Sequence, residues 1–374
     1  MMKLYEIILQ SANSALPLLD PETGSMPSGH NGPYYDPETP VRNTSHWLIT
    51  FLKAYSISKE QKFRNAAYKI VKYLCSEEVR PMKAAFWHRK NQKKDLCNGL
   101  IGQAWTIEAL VIAAAELEMP ELIALAEEVF LLHPFHENNA LWERVSVDGT
   151  YLGYDVTFNH QLWFAAAGSL LARHTKGEVE SQVCYFMEHL DKHLEVHTSG
   201  LIKHLISMKL FIKRNIFNLR IKLSREKLKI LTNLMQMSEI AKHRKYMTQK
   251  EIGYHSFNLY AFALIKKQYP NNSFWNNNKI KKALAYAQSE GYWNGIKDSK
   301  YGYPYNPPGF ETAFALDIFY PDRISQQEKW LAEQFRRSYD FEQNMMNINT
   351  EDTTTYAARI YEATRLSNLE VNLS

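Results

Sequence analysis

The chain of 374 residues has few of the features that assign a protein to a compartment or a class on sight. Its three cysteines, Cys75, Cys97 and Cys184, form neither a disulfide framework nor a metal-ligand spacing, which suits a reducing compartment. No apolar run approaches the ~18 residues that a membrane span requires. Glu6 and Gln10 interrupt the apolar N-terminal stretch, so we expect no secretory signal peptide. These absences favour a cytoplasmic protein.

Motifs for phosphate binding, serine hydrolysis and zinc proteolysis are missing as well. The sequence has no Gly-rich phosphate loop ending in Lys-Ser/Thr, no Gly-x-Ser-x-Gly elbow and no His-Glu-x-x-His pair. His133 and His136 flank a proline beside Glu137 and make only a weak zinc candidate. We therefore expect neither a metal nor a cofactor.

The sequence is rich in apolar residues at helical spacing. They make up 45% of the chain, which is enough for a sizeable core. They recur every three or four positions through Phe63–Leu74, Ile101–Leu117, Leu122–Leu132 and Leu162–Leu171. Alternating strand patterns are scarce, and Trp142–Val147 is the best of them. The pattern predicts a mostly helical protein.

A unit of roughly 50 residues repeats along the chain. Six segments share a polar, aromatic loop followed by a nearly all-apolar helix: Ser45–Tyr55, Asn98–Leu117, Thr157–Arg173, His255–Lys267, Gly309–Phe319 and Thr353–Thr364. Six amphipathic segments alternate with them: Lys3–Ser14, Glu60–Ser76, Pro120–Leu132, Glu178–Leu194, Asn276–Glu290 and Ser325–Arg337. This alternation predicts an all-α, single-domain (α/α)6 toroid over residues 1–374, with a buried inner ring and a half-exposed outer ring. The simpler alternative is an open helical array. In a toroid, the loops before the inner helices converge on one cleft.

Residues 203–250 depart from the repeat. They contain 13 Lys or Arg and two acidic residues, a local charge of +11 in a chain of +4. Ile212, Ile216 and Leu219 lie at helical spacing beside basic residues, which predicts a basic amphipathic helical insertion. Such a helix either packs on the toroid with its charges solvated or contacts an anionic membrane or an acidic polymer. Because no nucleic-acid-binding motif is present, we expect no nucleic-acid partner.

Two stretches resemble motifs of a known group. The first reads Phe158-Asn159-His160-Gln161-Leu162-Trp163, and the second runs from Tyr254-His255 through Tyr260-Ala261-Phe262-Ala263-Leu264. They resemble the Asn-Asn-His-x-x-Trp and Tyr-His…Tyr-Ala-Leu motifs of the toroidal polysaccharide lyases (the alginate-lyase and heparinase II/III-like group). More loosely, the chain resembles the six-hairpin glycosidase-like superfamily. Phe158 stands where the lyase motif has its first Asn, and the basic segment lengthens the interval between the motifs.

The resemblance implies β-elimination from a uronate-containing glycan. In that reaction Asn159 neutralises the substrate carboxylate, helped by Gln161 or Gln103. His160 acts as base, and Tyr254 acts as acid or as combined acid and base. A C5-epimerase would share the first step and return the proton to the opposite face. Each residue also has a structural interpretation: Asn159 as a helix cap, His160 as a core histidine and Tyr254 as a core or rim residue.

Carboxylates offer a competing mechanism. Asp95, Asp155, Glu311 and Asp352 precede or begin inner helices, and a pair of them would suit glycoside hydrolysis. The segment Asp95–Trp105 loosely resembles the unsaturated-uronyl hydrolases and sugar epimerases that share the toroid. Acidic residues also occur at helix starts for capping alone.

Further substrate contacts are expected from two loops and from the inner helices. The loop of residues 20–46 is rich in Gly, Pro, Tyr and His, and the loop of residues 291–309 is rich in Tyr. Both loops also suit a self-packed surface. The expected substrate-binding residues are His46, Arg42, Gln103, Trp105, Gln161, Trp163, His255, Tyr303, Tyr305 and Glu311, beside the catalytic candidates Asn159, His160, Tyr254 and Asp155.

Three functions remain open from the sequence. The first is a lyase acting on an anionic, uronate-containing glycan. The second is a glycoside hydrolase or sugar epimerase that uses carboxylates on the same toroid. The third is a non-catalytic glycan-binding protein of polysaccharide biosynthesis, with peripheral membrane contact through residues 203–250.

Overall fold

A computed structural model describes residues 2–206 and 237–373 of the chain, and helices dominate these ranges. The inner helices are α2 (Val41–Ser58), α4 (Gly99–Leu117), α6 (Phe158–Leu171), α8 (Met237–Gln268), α11 (Pro308–Phe319) and α13 (Thr353–Ala358). The outer helices are α1 (Leu4–Ala15), α3 (Gln61–Leu74), α5 (Glu121–Leu132), α7 (Glu178–His193), α9 (Asn278–Ala287) and α12 (Ile324–Ser338). A short helix, α10 (Glu290–Gly295), lies between α9 and α11, and a 3₁₀ segment (Arg359–Arg365) continues α13.

The inner helices form a closed ring. Each of α2, α4, α6, α8 and α11 packs against the next, and the 3₁₀ segment Arg359–Arg365 packs against both α11 and α2. Each outer helix packs against an inner neighbour, as α3 does against α2 and α12 against α11. The predicted (α/α)6 toroid is confirmed.

Burial explains why the two rings differ in sequence. Helix α4 is buried on nearly all sides, including the polar side chains of Gln103, Thr106 and Glu108. Helix α3 buries one stripe, with Phe63, Ala67 and Ile70 at spacings of three and four, and exposes its charged face. Because α4 is buried on nearly all sides, it is also long and apolar enough, by length and composition alone, to cross a membrane. In the toroid, 83% of its apolar window is buried inside the protein.

Short strands complete the described fold. Strands β2 (Phe135–His136), β3 (Leu141–Val145) and β4 (Tyr151–Tyr154) form an antiparallel sheet between α5 and α6. Strand β3 overlaps the predicted strand Trp142–Val147. Strands β5 (Tyr339–Asp340) and β6 (Met345–Met346) form a small hairpin, and β1 (Met2–Lys3) pairs with β7 (Glu370–Val371). The pairing of β1 with β7 brings the two ends of the described chain together beside α1 and α12.

The basic segment is bounded differently from the prediction of residues 203–250. Leu205 forms a bridge with Thr157, and the Ile206 amide donates to the Val156 carbonyl, so residues 203–206 belong to the toroid. At the other end, residues 237–250 are part of α8. Tyr254 and His255 therefore lie inside a continuous helix, which begins at Met237, so the predicted start of this inner segment at His255 was wrong. The central part of the predicted insertion lies outside the described residues.

Candidate active site

A cavity opens where the loops before α4, α6 and α11 meet the middle of α8 and the end of α13. It measures about 130 Å³, below the roughly 300–1,000 Å³ of pockets for drug-sized ligands, which favours a small ligand. Its lining residues are Asn31, Tyr34, Arg89, Asn98, Ile101, Trp105, Thr157, Asn159, His160, His204, Lys250, Tyr254, Phe257, Tyr305, Asn306 and Arg359.

His160 and Asp155 form a buttressed acid–base pair. Asp155 is buried just before α6, and His160 lies in the first turns of that helix. Asp155 Oδ2 lies 2.7 Å from His160 Nδ1 and also accepts the Leu100 amide. Burial alone would raise the pKa of Asp155, but His160 and the nearby hydrogen bonds hold that pKa at about 2. Because an ionised carboxylate only accepts, Nδ1 carries the donated proton, and Nε2 is left as the nitrogen able to take a proton.

Gly99 makes room for this pair at the start of α4. Its φ is +57°, and a Cβ at this position would lie 2.5 Å from Asp155 Oδ2 and 2.8 Å from His160 Nδ1. Glycine is therefore required both by the left-handed backbone and by the close approach of the pair.

We expect Gly99→Ala to impair catalysis more than stability. The left-handed backbone alone should cost on the order of 1–2 kcal/mol, whereas the clash displaces His160 from Asp155. Urea unfolding and turnover of the same protein separate the two effects. Gly149→Ala is the matched control, because Gly149 also has positive φ (+86°) but no atom closer than 3.9 Å to the added Cβ. Equal turnover losses in the two variants would contradict a specific clash at Gly99.

His204 supplies a second imidazole. Its backbone is held on both sides: its carbonyl accepts the Phe158 amide, and its amide donates to Glu251 Oε1. Burial, followed by the nearby charges of Lys250 and His160, lowers the pKa of His204 to about 3. His204 is thus neutral at pH 7.

Tyr254 and Asn159 add polar groups to the cavity. The Tyr254 hydroxyl hydrogen-bonds the Tyr34 hydroxyl at 2.9 Å. Burial, with the neighbouring Tyr305 and Tyr34, raises the pKa of Tyr254 well above its usual value, so its hydroxyl stays protonated. Asn159 Oδ1 is buried without a hydrogen-bond partner in the described structure. The N-cap of α6 is Thr157, so Asn159 is not the cap of this helix.

Arg359 is buried between two carboxylates at the base of the cavity. Its guanidinium donates to Glu362 Oε1 at 2.6 Å, to Glu311 Oε1 at 3.0 Å and to Asn306 Oδ1 at 3.1 Å. Burial and mutual repulsion raise the pKa of Glu311 well above its usual value, and burial raises that of Glu362 to about 7 despite Arg359. One guanidinium cannot fully compensate two buried carboxylates, so this group favours retaining one proton.

The charged side chains that line the cavity are all basic. They are Arg89, Lys250 and Arg359, beside the two histidines, and no Asp or Glu side chain is among the described lining residues. The nearby acids lie behind this lining. Asp155 pairs with His160, and Asp36 and Asp95 pair with Arg89. The cavity therefore favours an anionic ligand.

Comparison with known proteins identifies the family. No protein-family model matches the chain. It is 43% identical over 373 residues to archaeal glycosylation protein Q of Haloferax volcanii, covering 100% of both chains. This chain belongs to the archaeal glycosylation protein Q family.

Solved structures resemble the fold at low sequence identity. Cellobiose 2-epimerase from Bacillus thermoamylovorans aligns at a TM-score of 0.62 and 12% identity, covering 94% of each chain. A D-mannose isomerase aligns at 0.61 and 15% identity, covering 97% of each chain. An unsaturated glucuronyl hydrolase specific for heparin aligns at 0.56 and 12% identity, covering 97% of this chain and 95% of the other. The protein therefore has the (α/α)6 fold of these structures, and the resemblance to the polysaccharide lyases stays a prediction.

The structure brings together about half of the residues expected from the sequence. Asn159, His160, Tyr254, Trp105 and Tyr305 line the cavity, and Asp155 lies directly behind His160. Glu311 and Arg42 are buried behind the lining. Arg42 lies 4.2 Å from the Trp105 ring centroid and pairs with Glu38.

The other expected residues do not reach the cavity. Gln103 and Gln161 use their amides to hold the backbone of residues 86, 97, 142 and 155. Trp163 donates to the Phe257 carbonyl from the core, and His255 contacts the backbone of residues 202 and 283. His46 stacks on Tyr361, and Tyr303 lies under Arg337.

Sequence reasoning missed His204, Lys250 and Arg359. The first two fall in the segment interpreted as an insertion, and only the tertiary pairing of residue 205 with 157 brings His204 to α6. Arg359 had a signal: it is a lone cation in an apolar inner segment, with Glu362 three residues later.

A metal site finds no support in the described ranges. Among residues 2–206 and 237–373, no three His, Cys, Asp or Glu side chains converge as metal ligands would. His133 hydrogen-bonds the Glu143 carbonyl, and His136 contacts the Glu143 carboxylate instead.

Proposed function

We propose that this chain epimerises an acidic sugar by proton transfer at the carbon beside its carboxylate, as a step in glycan assembly. The observation that carries the proposal is the cavity itself. It holds a histidine hydrogen-bonded to a buried carboxylate, and the charged side chains among its described lining residues are basic, with no Asp or Glu among them. The relative's role in glycosylation supports a glycan or glycan precursor as substrate.

The first step is removal of the proton from the carbon beside the sugar's carboxylate. His160 Nε2 takes this proton, and Asp155 stabilises the resulting imidazolium. The electron pair moves from the C–H bond onto the carboxylate. The Asn159 amide and the cationic wall of the cavity stabilise that charge, which offsets the weak acidity of the proton.

The second step returns a proton to the same carbon from a different group. Tyr254 is suited to give this proton, because its hydroxyl stays protonated, whereas His204 is neutral at pH 7 and has no acidic proton to give. The Tyr254 ring centroid lies 5.4 Å from that of His204, and the pair of His160 and Asp155 lies beside Gly99 of α4. The Tyr254 oxyanion then regains a proton from solvent, and the His160 imidazolium releases one to solvent, which restores the starting state. Two acid–base groups at one sugar are what inversion at carbon needs. A lyase needs only a base and a group that protonates the leaving oxygen.

Glycoside hydrolysis by paired carboxylates is less well supported. It needs two carboxyl groups that flank the scissile bond. Here the acids nearest the cavity are engaged with His160, Arg89 or Arg359 behind its lining.

β-Elimination is the second candidate function, because the same first step serves it. The protonated Tyr254 hydroxyl is suited to protonate the leaving oxygen at C4. The sugar would then keep a C4–C5 double bond instead of regaining a proton at C5.

Product analysis with a panel of hexuronates, their glycosides and the matched neutral hexoses tests the proposal. We expect a new stereoisomer by NMR from at least one acidic sugar, with no new near-ultraviolet absorbance. Growing absorbance from a C4–C5 double bond would replace this function by β-elimination. A new reducing end without either signal would indicate hydrolysis, and binding without conversion would indicate a glycan-binding protein.

The cellular placement stays a prediction. A cytoplasmic site and peripheral membrane contact through residues 203–250 fit work on nascent or lipid-linked glycans. Most of that segment lies outside the described residues, so the proposal for the cavity does not depend on it.

A further inference from the structure

Three Arg and Lys side chains are among the described residues that line the cavity, and they differ in their counter-ions. Arg89 lies 3.0 Å from Asp36 Oδ2 and 3.3 Å from Asp95 Oδ1. Arg359 lies between Glu311 and Glu362. For Lys250, by contrast, no carboxylate of the described chain lies within ion-pair distance. Among the described residues, Lys250 is thus the lining cation that has no carboxylate as a counter-ion.

The surroundings of Lys250 do not offset its positive charge. Its ammonium lies 5.3 Å from the Tyr34 ring centroid, and the charge of another cation, Lys94, acts on it unfavourably. The adjacent carboxylate, Glu251, points elsewhere: Oε2 contacts His197 at 2.9 Å, and Oε1 accepts the His204 amide at 3.2 Å.

A half-buried ammonium without a partner is unfavourable in the empty protein. Burial, followed by the charge of Lys94, lowers the pKa of Lys250 to about 8. A ligand anion placed beside this ammonium would supply the missing counter-ion and stabilise the charged form of Lys250. No other lining cation gains as much, because Arg89 and Arg359 already carry two carboxylates each.

We propose that Lys250 is the specificity-determining residue of the cavity, and that its ammonium pairs with the carboxylate of an acidic sugar. This inference rests on the proposed function for its substrate class. It assigns different roles to two residues. Lys250 binds the substrate carboxylate before the reaction, and Asn159 donates a hydrogen bond to the same group as negative charge develops on it during proton transfer.

Equilibrium binding tests the assignment without requiring turnover. Calorimetric titrations would use glucuronate, galacturonate and mannuronate, each paired with its neutral hexose and its hexose 6-phosphate. We expect Lys250→Met to weaken binding of the preferred uronate by about 10- to 100-fold and to leave its neutral hexose unchanged. The Lys250→Arg variant should retain most of the preference for the uronate over its neutral hexose. Lys245→Met, an exposed lysine on the same helix, should change nothing.

The outcomes separate this inference from the proposed function. The role of Lys250 would be overturned if the Lys250→Met variant still preferred the uronate. It would also be overturned if the variant lost affinity for the uronate and the neutral hexose to the same extent. A Lys250-dependent preference for the hexose 6-phosphate over the uronate would overturn the assignment to a carboxylate. If uronate preference depends on Lys250 but the wild-type protein converts no sugar, the inference stands and the proposed function fails.

Discussion

Replacement of His160 by Gln is expected to lower kcat on the acidic sugar by about 10²- to 10⁴-fold, the usual contribution of a positioned general base. Glutamine retains a hydrogen-bonding group near Asp155, so the loss reports proton transfer more than folding. KM should change little, because the carboxylate contact that we assign to Lys250 is untouched. Steady-state kinetics on the substrate found by product analysis measures both constants.

His174→Gln is the matched control, because His174 is exposed in the loop between α6 and α7 and does not line the cavity. Its kinetics should equal those of the wild-type protein. A His160→Gln variant that retains more than about a tenth of wild-type kcat would exclude His160 as the general base. His204 would then be the first residue to examine.

The largest loss of stability is expected from Arg359→Met. Removing the guanidinium leaves Glu311 and Glu362 buried beside each other without a cation. Loss of one partner from a buried ion-pair group typically costs about 3–5 kcal/mol. Urea unfolding at pH 7, followed by circular dichroism, should show this loss as a lower midpoint.

Two variants control for this result. Arg336→Met removes an exposed cation that pairs with Glu333, and it should cost roughly 0–1 kcal/mol. Glu362→Gln keeps Arg359 paired with Glu311 and replaces a carboxyl whose ionisation is already disfavoured by a neutral amide, so it should cost less than Arg359→Met. If Glu362→Gln proved the more damaging change, the picture of one cation shared by two repelling carboxylates would be wrong.

The fold was predictable because its two rings bury their helices differently. An inner helix such as α4 is apolar around its whole circumference, whereas an outer helix such as α3 shows a stripe. Both patterns of apolar residues are local in sequence, so they can be recognised without knowledge of the tertiary contacts. The boundaries of α8 were not predictable in the same way. Its N-terminal part is polar and basic, and only its position in the ring shows that it continues an inner helix.

The site was predictable where a residue with suitable chemistry lies at the start of a predicted inner helix. His160 follows Asp155 by five residues at the start of an inner helix, so the sequence already placed both near the cleft. His204 and Lys250 depend on long-range pairing of a loop with α6 and on the direction of α8, which no spacing reveals. Conversely, Gln103, Gln161 and His255 resemble site residues in sequence, yet their polar groups satisfy the backbone of neighbouring segments.

Solvent-hydrogen exchange into the acidic sugar tests the central claim most directly. The protein would be incubated with each hexuronate of the panel in deuterated water, and the sugar analysed by mass spectrometry and NMR. We expect one deuterium at the carbon beside the carboxylate with wild-type protein and with His174→Gln, and no incorporation with His160→Gln. Conversion of the sugar without solvent deuterium, or unchanged incorporation by His160→Gln, would contradict proton abstraction by the pair of His160 and Asp155.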